Sequence, residues 1–324
     1  MGIQMKKHLP LLLRLLGPIL LIIFLINADL GKLWLTLRET TLWPVILSLL
    51  LMPPFVLIKS WRWVRLMREM GISLDLPTAN ALYTVGLFYG ATTPGQAGDL
   101  LKAVYLHERG NPLPPAMLSV VLDRLFDLLI MAALGTLGIF ALGQLLPSRE
   151  LQTALVVLMG IGLAILTTVL LARGPRQWTL TVLLARIAPK LTATLNRWNS
   201  QLSSLTLSSS LLSAVILASL VSAGFTFVRL WLLFLALGLD LVPLYVVIGA
   251  SALIAVLQVL PISIAGVGVR DAVLIAIIMP YGYSTEQALT LSALFLLLNI
   301  EHIVVGFIVS FWYPLGRGQT QLEM

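Results

Sequence analysis

Leu260-Pro261-Ile262-Ser263-Ile264-Ala265-Gly266-Val267-Gly268-Val269-Arg270-Asp271 decides how this chain is read. It is a glycine-rich turn with an adjacent cation and anion, set between two strongly apolar runs. Hydrocarbon tolerates irregular backbone only where protein or a wet cavity surrounds it, because freed N–H and C=O groups find no water there. An arginine and an aspartate at that depth are costly enough to mark a functional site by default. The stretch therefore predicts a helix broken at membrane depth. Gly266 and Gly268 tolerate positive φ and let a ligand approach the backbone, while Arg270 and Asp271 open the second half-helix. The competing reading is an ordinary extramembrane loop between two short spans.

Composition points the same way. With 59% hydrophobic and 11% charged residues, and a mean hydropathy of +0.98, residues 1–324 read as a single polytopic membrane domain. There is no cysteine, which excludes disulfides and thiolate metal sites, and His8, His107 and His302 are the only imidazoles; neither a metal nor another cofactor is expected. The net charge of +7 reflects Lys and Arg flanking apolar spans, so it speaks of topology and lipid attraction and not of a nucleic-acid partner.

In chain order, the pattern predicts an all-α protein with about six full spans and two re-entrant helical hairpins. The apolar run over about residues 9–26 has no small-residue cleavage site after it and reads as a retained first helix with a cytoplasmic N-terminus. Trp43 to about Lys59 is the second span. It ends in Lys59, Arg62, Arg65 and Arg68, a basic cluster of the cytoplasmic kind. Residues 79–105 differ, because the apolar piece from Ala81 to Gly90 falls short of the roughly 20 residues a crossing needs. Thr92-Thr93-Pro94-Gly95-Gln96-Ala97-Gly98-Asp99 interrupts it, so a hairpin dipping in from the cytoplasm is expected. Spans over 116–146 and 151–171 follow. Residues 173–210 read as an interfacial segment, with Arg186, Lys190 and Arg197 on one helical face and Trp178 and Trp198 at headgroup depth. The chain then leads outward over 211–237, re-enters over 246–280 and returns over 288–312 to a cytoplasmic C-terminus in the cell inner (plasma) membrane.

An internal repeat relates residues 1–150 to residues 151–324. Arg62 precedes Gly71 by nine positions and Arg229 precedes Gly238 by nine. Each half then ends a glycine turn on an aspartate, Asp99 after Gly95 and Gly98, Asp271 after Gly266 and Gly268. The threading sends the two units in from opposite sides, an inverted repeat with broken helices near the midplane, as transporters are often built. Half-helix N-termini then point dipoles and free N–H groups at an anion, although Asp99 and Asp271 could equally cap the half-helices.

Intramembrane arginines suit a phosphodiester, since the planar guanidinium binds two oxygens at once. Arg62, Arg229 and Arg270 are the candidates, Arg62 alternatively belonging to the basic flank and Arg229 to a local ion pair. Arg229 lies about 12 Å of helix rise before Gly238, too deep for easy snorkelling. Arg124 and Asp127 are three apart and can pair on one helix face, whereas Asp123 and Asp127 would repel without an intervening cation. Glu301 and His302 are a candidate proton-linked pair.

Pro94-Gly95-x-x-Gly98-Asp99-Leu100-Leu101-Lys102, Leu122-Asp123-Arg124-Leu125-Phe126-Asp127 and the opening stretch from Pro261 to Asp271 together resemble the membrane region of lysylphosphatidylglycerol synthases, which also defines a family of stand-alone flippase-like proteins. Both turns carry Asp where that family often carries Glu, which shortens the acidic reach. The resemblance implies translocation of an anionic or aminoacylated phospholipid, or another phosphate-linked lipid; these 324 residues leave no stretch for a soluble aminoacyl-transfer domain. Its partners would be membrane phospholipids or polyprenyl-type lipids, with a second copy of the chain and a lipid-synthesising enzyme as protein partners. No catalytic motif appears, so an enzyme is not expected. The alternatives are a proton- or ion-coupled small-solute carrier and a membrane-embedded lipid-modifying transferase.

Overall fold

The computed structural model describes residues 38–141, 148–171, 208–259 and 269–315. Among these, every regular element is helical. α1 (Leu42–Leu50) and α2 (Met52–Glu69) run on as one 28-residue rod, with Pro53 and Pro54 in the first turn of α2, where a missing N–H costs least. α3 (Leu76–Ala91), a 3₁₀ turn (Pro94–Leu100), α4 (Leu101–Glu108) and the 29-residue α5 (Leu113–Ala141) complete the first half. The second half comprises α6 (Arg149–Leu171), α7 (Ser209–Ala236), α8 (Leu244–Val259), α9 (Val269–Ile278), a short 3₁₀ turn and α10 (Thr285–Trp312).

This is a membrane protein. Among the described residues, Leu42–Glu69, Ser209–Ala236 and Gln287–Trp312 are long and apolar enough to cross a bilayer. At about 1.5 Å per residue each exceeds the roughly 30 Å of hydrocarbon. Leu42, Trp43, Leu217, Phe311 and Trp312 stand exposed on them, as lipid-facing positions do. The expected first helix over 9–26, the body of the interfacial segment over 173–210 and the turn holding Gly266 and Gly268 lie outside the described residues.

The repeat seen in the sequence has a backbone counterpart. α2 closes with Gly71 left-handed at φ 73° and the Ile72 N–H donating to the Met67 carbonyl at 3.0 Å. α7 closes identically, with Gly238 at φ 64° and the Leu239 N–H donating to the Phe234 carbonyl at 3.0 Å. Both are Schellman closures, in which glycine takes the left-handed position without a Cβ penalty. A 16-residue helix follows each cap, α3 in one half and α8 in the other. Further on, each half has a short helix (α4, α9), a second left-handed glycine (Gly110 at φ 85°, Gly282 at φ 84°) and a long helix.

The halves exchange partners: α3 packs along α10, and α8 packs along α5. At the α3–α10 crossing a Cβ on Gly306 would lie 2.5 Å from both the Phe88 Cβ and the Thr84 carbonyl, so a residue without a side chain sets the helix spacing. One apolar cluster centres on Trp63, Tyr83, Phe88 and Tyr105; another joins Leu230, Phe234, Val247, Leu274 and Leu291.

Candidate functional site

The site begins at the break after α3. The Thr93 hydroxyl donates to the Tyr89 carbonyl at 2.8 Å and accepts from the Gly98 N–H at 2.7 Å, folding the turn back onto the helix end. A Cβ on Gly98 would sit 2.2 Å from that same Tyr89 carbonyl oxygen. Gly98 is thus required by close backbone approach and not by positive φ. The left-handed residue of this turn is Gln96, at φ 56°, an uncommon place for a side chain. Its amide oxygen accepts from Arg124 Nη1 at 2.7 Å, which fixes the turn against α5.

The turn delivers Asp99 into a buried ionic network. Asp99 does not cap α4, whose start carries no side-chain cap bond. Its Oδ2 instead meets Lys102 Nζ at 2.8 Å and Arg124 Nε at 2.7 Å. Gly86 makes room, since a Cβ there would come within 2.7 Å of both Asp99 Oδ1 and the Lys102 chain. The Lys102 ammonium also lies 3.9 Å from the Tyr83 ring centre and 5.1 Å from that of Trp63, a cation–π cage that tolerates its complete burial.

Arg62 is the hub. Its Nε donates to Asp123 Oδ1 at 2.9 Å, Nη2 reaches Asp123 Oδ1 at 2.7 Å and the Asp123 carbonyl at 3.1 Å, and Nη1 donates to Asp127 Oδ1 at 2.6 Å and the Ser219 hydroxyl at 2.7 Å. Four hydrogen bonds and a close ion-pair contact thus engage all three nitrogens of the guanidinium. This is the intervening cation that two carboxylates one helical turn apart require. Asp127 takes Lys59 as a second partner at 2.7 Å, and Tyr83 Oη donates to Asp123 Oδ2 at 2.8 Å. The expected Arg124–Asp127 pair does not form: Arg124 turns to Asp99 and Gln96, while Asp127 turns to Arg62 and Lys59.

A second cluster sits on α7 and α10. Arg229 forms an ion pair with Glu301, donates through Nε to the Ser48 carbonyl at 2.9 Å and places Nη1 3.3 Å from His302 Nε2. Glu301 and His302 therefore face one guanidinium together. Arg270, 2% exposed, donates through Nε to Ser292 at 3.1 Å and lies 5.1 Å from the Phe295 ring centre. Asp271 follows it on α9, a placement of backbone alone.

Two adjoining cavities, of about 180 and 320 Å³, open beside these clusters and share Lys59, Gln96, Arg124 and Thr226 in their walls. The first reaches Arg229, Asn299 and His302; the second reaches Asp99 and Asp127. Apolar side chains, among them Phe55, Leu87, Leu128, Met131 and Phe295, make the remainder. Arg124, with 23% of its side chain accessible, is the most open cation of the network, and Lys59 keeps 11%, whereas Arg62 and Lys102 keep none.

Residues 11–306 match the family described as the lysylphosphatidylglycerol synthase TM region. The chain belongs to that family. No curated protein matches it. Every charged residue of the two clusters falls inside the lysylphosphatidylglycerol synthase TM region as matched here, from Lys59 to Glu301.

Of the site residues expected from sequence, the structure gathers Arg62, Gly98, Asp99, Arg124 and Asp127 into one network and Arg229, Glu301 and His302 into another. Gly95 lies in the 3₁₀ turn, and Arg270 stands apart on α9. Sequence reasoning missed Lys59, Lys102, Tyr83, Gln96 and Thr226, and weighed Asp123 only as a repulsive neighbour. Lys59 and Thr226 could have been found: they stand three residues before Arg62 and Arg229 respectively, so the repeat extended one helical turn backwards marks both.

Proposed function

We propose that the protein is a flippase-like transporter of the cell inner membrane, which carries a phosphate-linked lipid across the bilayer without chemically changing it. The observation that carries this reading is the paired cavity at the break of α3, whose lining combines Lys59, Arg124 and Arg229 with many apolar side chains, Asp99 and Asp127 joining in the second lobe. A translocated headgroup must be sheltered from hydrocarbon while its tails stay in lipid, and a cationic recess in an apolar wall does both. Membership of the lysylphosphatidylglycerol synthase TM family supports it.

Direct headgroup contact falls to Lys59, Arg124 and Arg229, because each lines the cavity, whereas Arg62 has committed its donors to Asp123, Asp127 and Ser219. Arg62 then acts as the post that holds the α5 carboxylates in place. The matched Schellman closures, the paired 16-residue helices and the reciprocal packing of α3 on α10 and α8 on α5 support an inverted repeat, with two re-entrant units meeting at the cavity. Alternating access would follow from rocking one unit against the other.

The test is reconstitution of the full chain into liposomes carrying a fluorescent phospholipid. The reading predicts lipid exchange between leaflets well above that of protein-free liposomes, with the lipid recovered unmodified. A chemically altered lipid would favour the transferase reading, and no exchange would refute transport.

A further inference from the structure

The buried network is not neutral. Lys59, Arg62, Lys102 and Arg124 face Asp99, Asp123 and Asp127, four cations against three carboxylates. Beside it, Arg229 is matched by Glu301. Within this network, as described, one positive charge is thus uncompensated, and its accessible cations, Arg124 and Lys59, line both cavities. An uncompensated charge in a low-dielectric interior is costly, and a ligand of opposite charge relieves it.

From this we infer that the site selects a headgroup of net charge −1, delivered as a phosphodiester. The inference rests on the transport reading above and narrows its substrate class. A phosphodiester has one ionised oxygen and fits the surplus. A zwitterionic headgroup brings no net charge, an aminoacylated one brings positive charge to a site that already has too much, and a dianionic monoester overshoots. The geometry agrees, because the lobe reaching Arg229 has Lys59, Arg124 and Arg229 in its wall and no carboxylate. The phosphate belongs in that lobe, within reach of planar guanidinium donors. Apolar walls favour delivery from the bilayer over delivery from water.

The same chemistry could come from a soluble phosphodiester, so the experiment has two arms. Full-length protein is reconstituted in phosphatidylcholine liposomes with traces of acyl-labelled phosphatidylglycerol, phosphatidylethanolamine, phosphatidic acid or lysylphosphatidylglycerol, the label leaving each headgroup intact. Wild type should exchange phosphatidylglycerol at least about tenfold faster than the zwitterionic and aminoacylated lipids. Gln96→Glu keeps the acceptor for Arg124, places a carboxylate in both lobes and cancels the surplus, so the preference for phosphatidylglycerol over phosphatidylethanolamine should collapse by a similar factor. Thr226→Asp adds the same charge from α7 and should shift selectivity the same way, which covers a failure of the first variant to fold. Equal rates for all four lipids, or a preference unmoved by both variants, overturn the charge rule while leaving transport standing. No exchange of any lipid overturns transport and the charge rule together. In the second arm, soluble glycerophosphoglycerol is added at the lipid's own concentration: unchanged phosphatidylglycerol exchange supports the lipid source, and suppression assigns the site to a free anion and overturns it.

Discussion

Asp99 Oδ2 lies 2.7 Å from Arg124 Nε, so the carboxylate that ends the broken-helix turn is held by the middle of the long helix α5. The contact joins an irregular segment to a rigid one. It also explains how a 3₁₀ turn with few regular backbone bonds stays ordered deep in the protein: the turn is anchored through side chains, Asp99 and Gln96 to Arg124 and Thr93 to Tyr89.

Replacing Arg62 should disrupt the fold and not merely the activity. Its guanidinium is wholly buried between Asp123 and Asp127, and removing one partner of a buried ion pair leaves uncompensated charge, a loss of about 3–5 kcal/mol. Thermal unfolding of Arg62→Met in detergent should show a large drop in midpoint, with little folded protein recovered. A midpoint equal to wild type would contradict the hub role.

Two glycines should respond oppositely to the same substitution. Gly98→Ala drives a Cβ into the Tyr89 carbonyl and should destabilise by about 1–3 kcal/mol, as overpacking does. Gly160→Ala, in α6, meets nothing within 4 Å and should be neutral or gain up to about 1 kcal/mol from helix propensity. Unfolding midpoints of the two variants check the contrast.

Asp75 gives a pH signature outside the spans. It caps α3 by accepting from the Thr78 N–H at 3.0 Å, and that hydrogen bond holds its carboxyl below the usual aspartate range. A group with a depressed folded pKa contributes stability that is complete above its unfolded value, about 4, and is lost as pH falls through the lower folded value. Asp75→Asn should therefore flatten the acid limb of the stability profile there and leave the neutral range little changed. An unaltered acid limb would contradict this role for the cap.

The proposed inverted arrangement predicts opposite exposure of two positions. The chain has no native cysteine, so single cysteines at Gln96 and Ser284 can be probed with membrane-impermeant reagents in oriented vesicles. Position 96 should react from the cytoplasmic phase and position 284 from the outer one. The reverse pattern, or reaction from one side only, would refute the threading.

Much of this architecture was legible because backbone constraints leave sequence traces. Gly71 and Gly238 occupy left-handed caps that glycine fills best, and their shared spacing from Arg62 and Arg229 is visible in the sequence. The break after α3 was legible too, from an apolar run too short to cross and a Pro-Gly interruption. What the sequence hid was partner choice. Lys59 sits one helical turn before Arg62 and beside Arg65 and Arg68, so it resembled a basic flank until Asp127, 68 positions away, was seen to take it. Arg124 and Asp127 have the spacing of an intrahelical pair, yet each finds a better-placed partner on another helix, which local periodicity cannot register. Gln96 was passed over because positive φ was sought at glycine, whereas the strain here falls on a side chain the site uses.

Leaflet exchange by Arg124→Gln tests the central claim most directly. Arg124 is the network's most accessible cation and lines both cavity lobes, while Lys102 still holds Asp99 at 2.8 Å when it is replaced. Reconstituted protein that is folded, as judged by its unfolding midpoint, should exchange an anionic phospholipid at least about tenfold more slowly than wild type, the loss expected for a charge-assisted phosphate contact. Exchange at the wild-type rate by folded Arg124→Gln would contradict a headgroup held by this cavity.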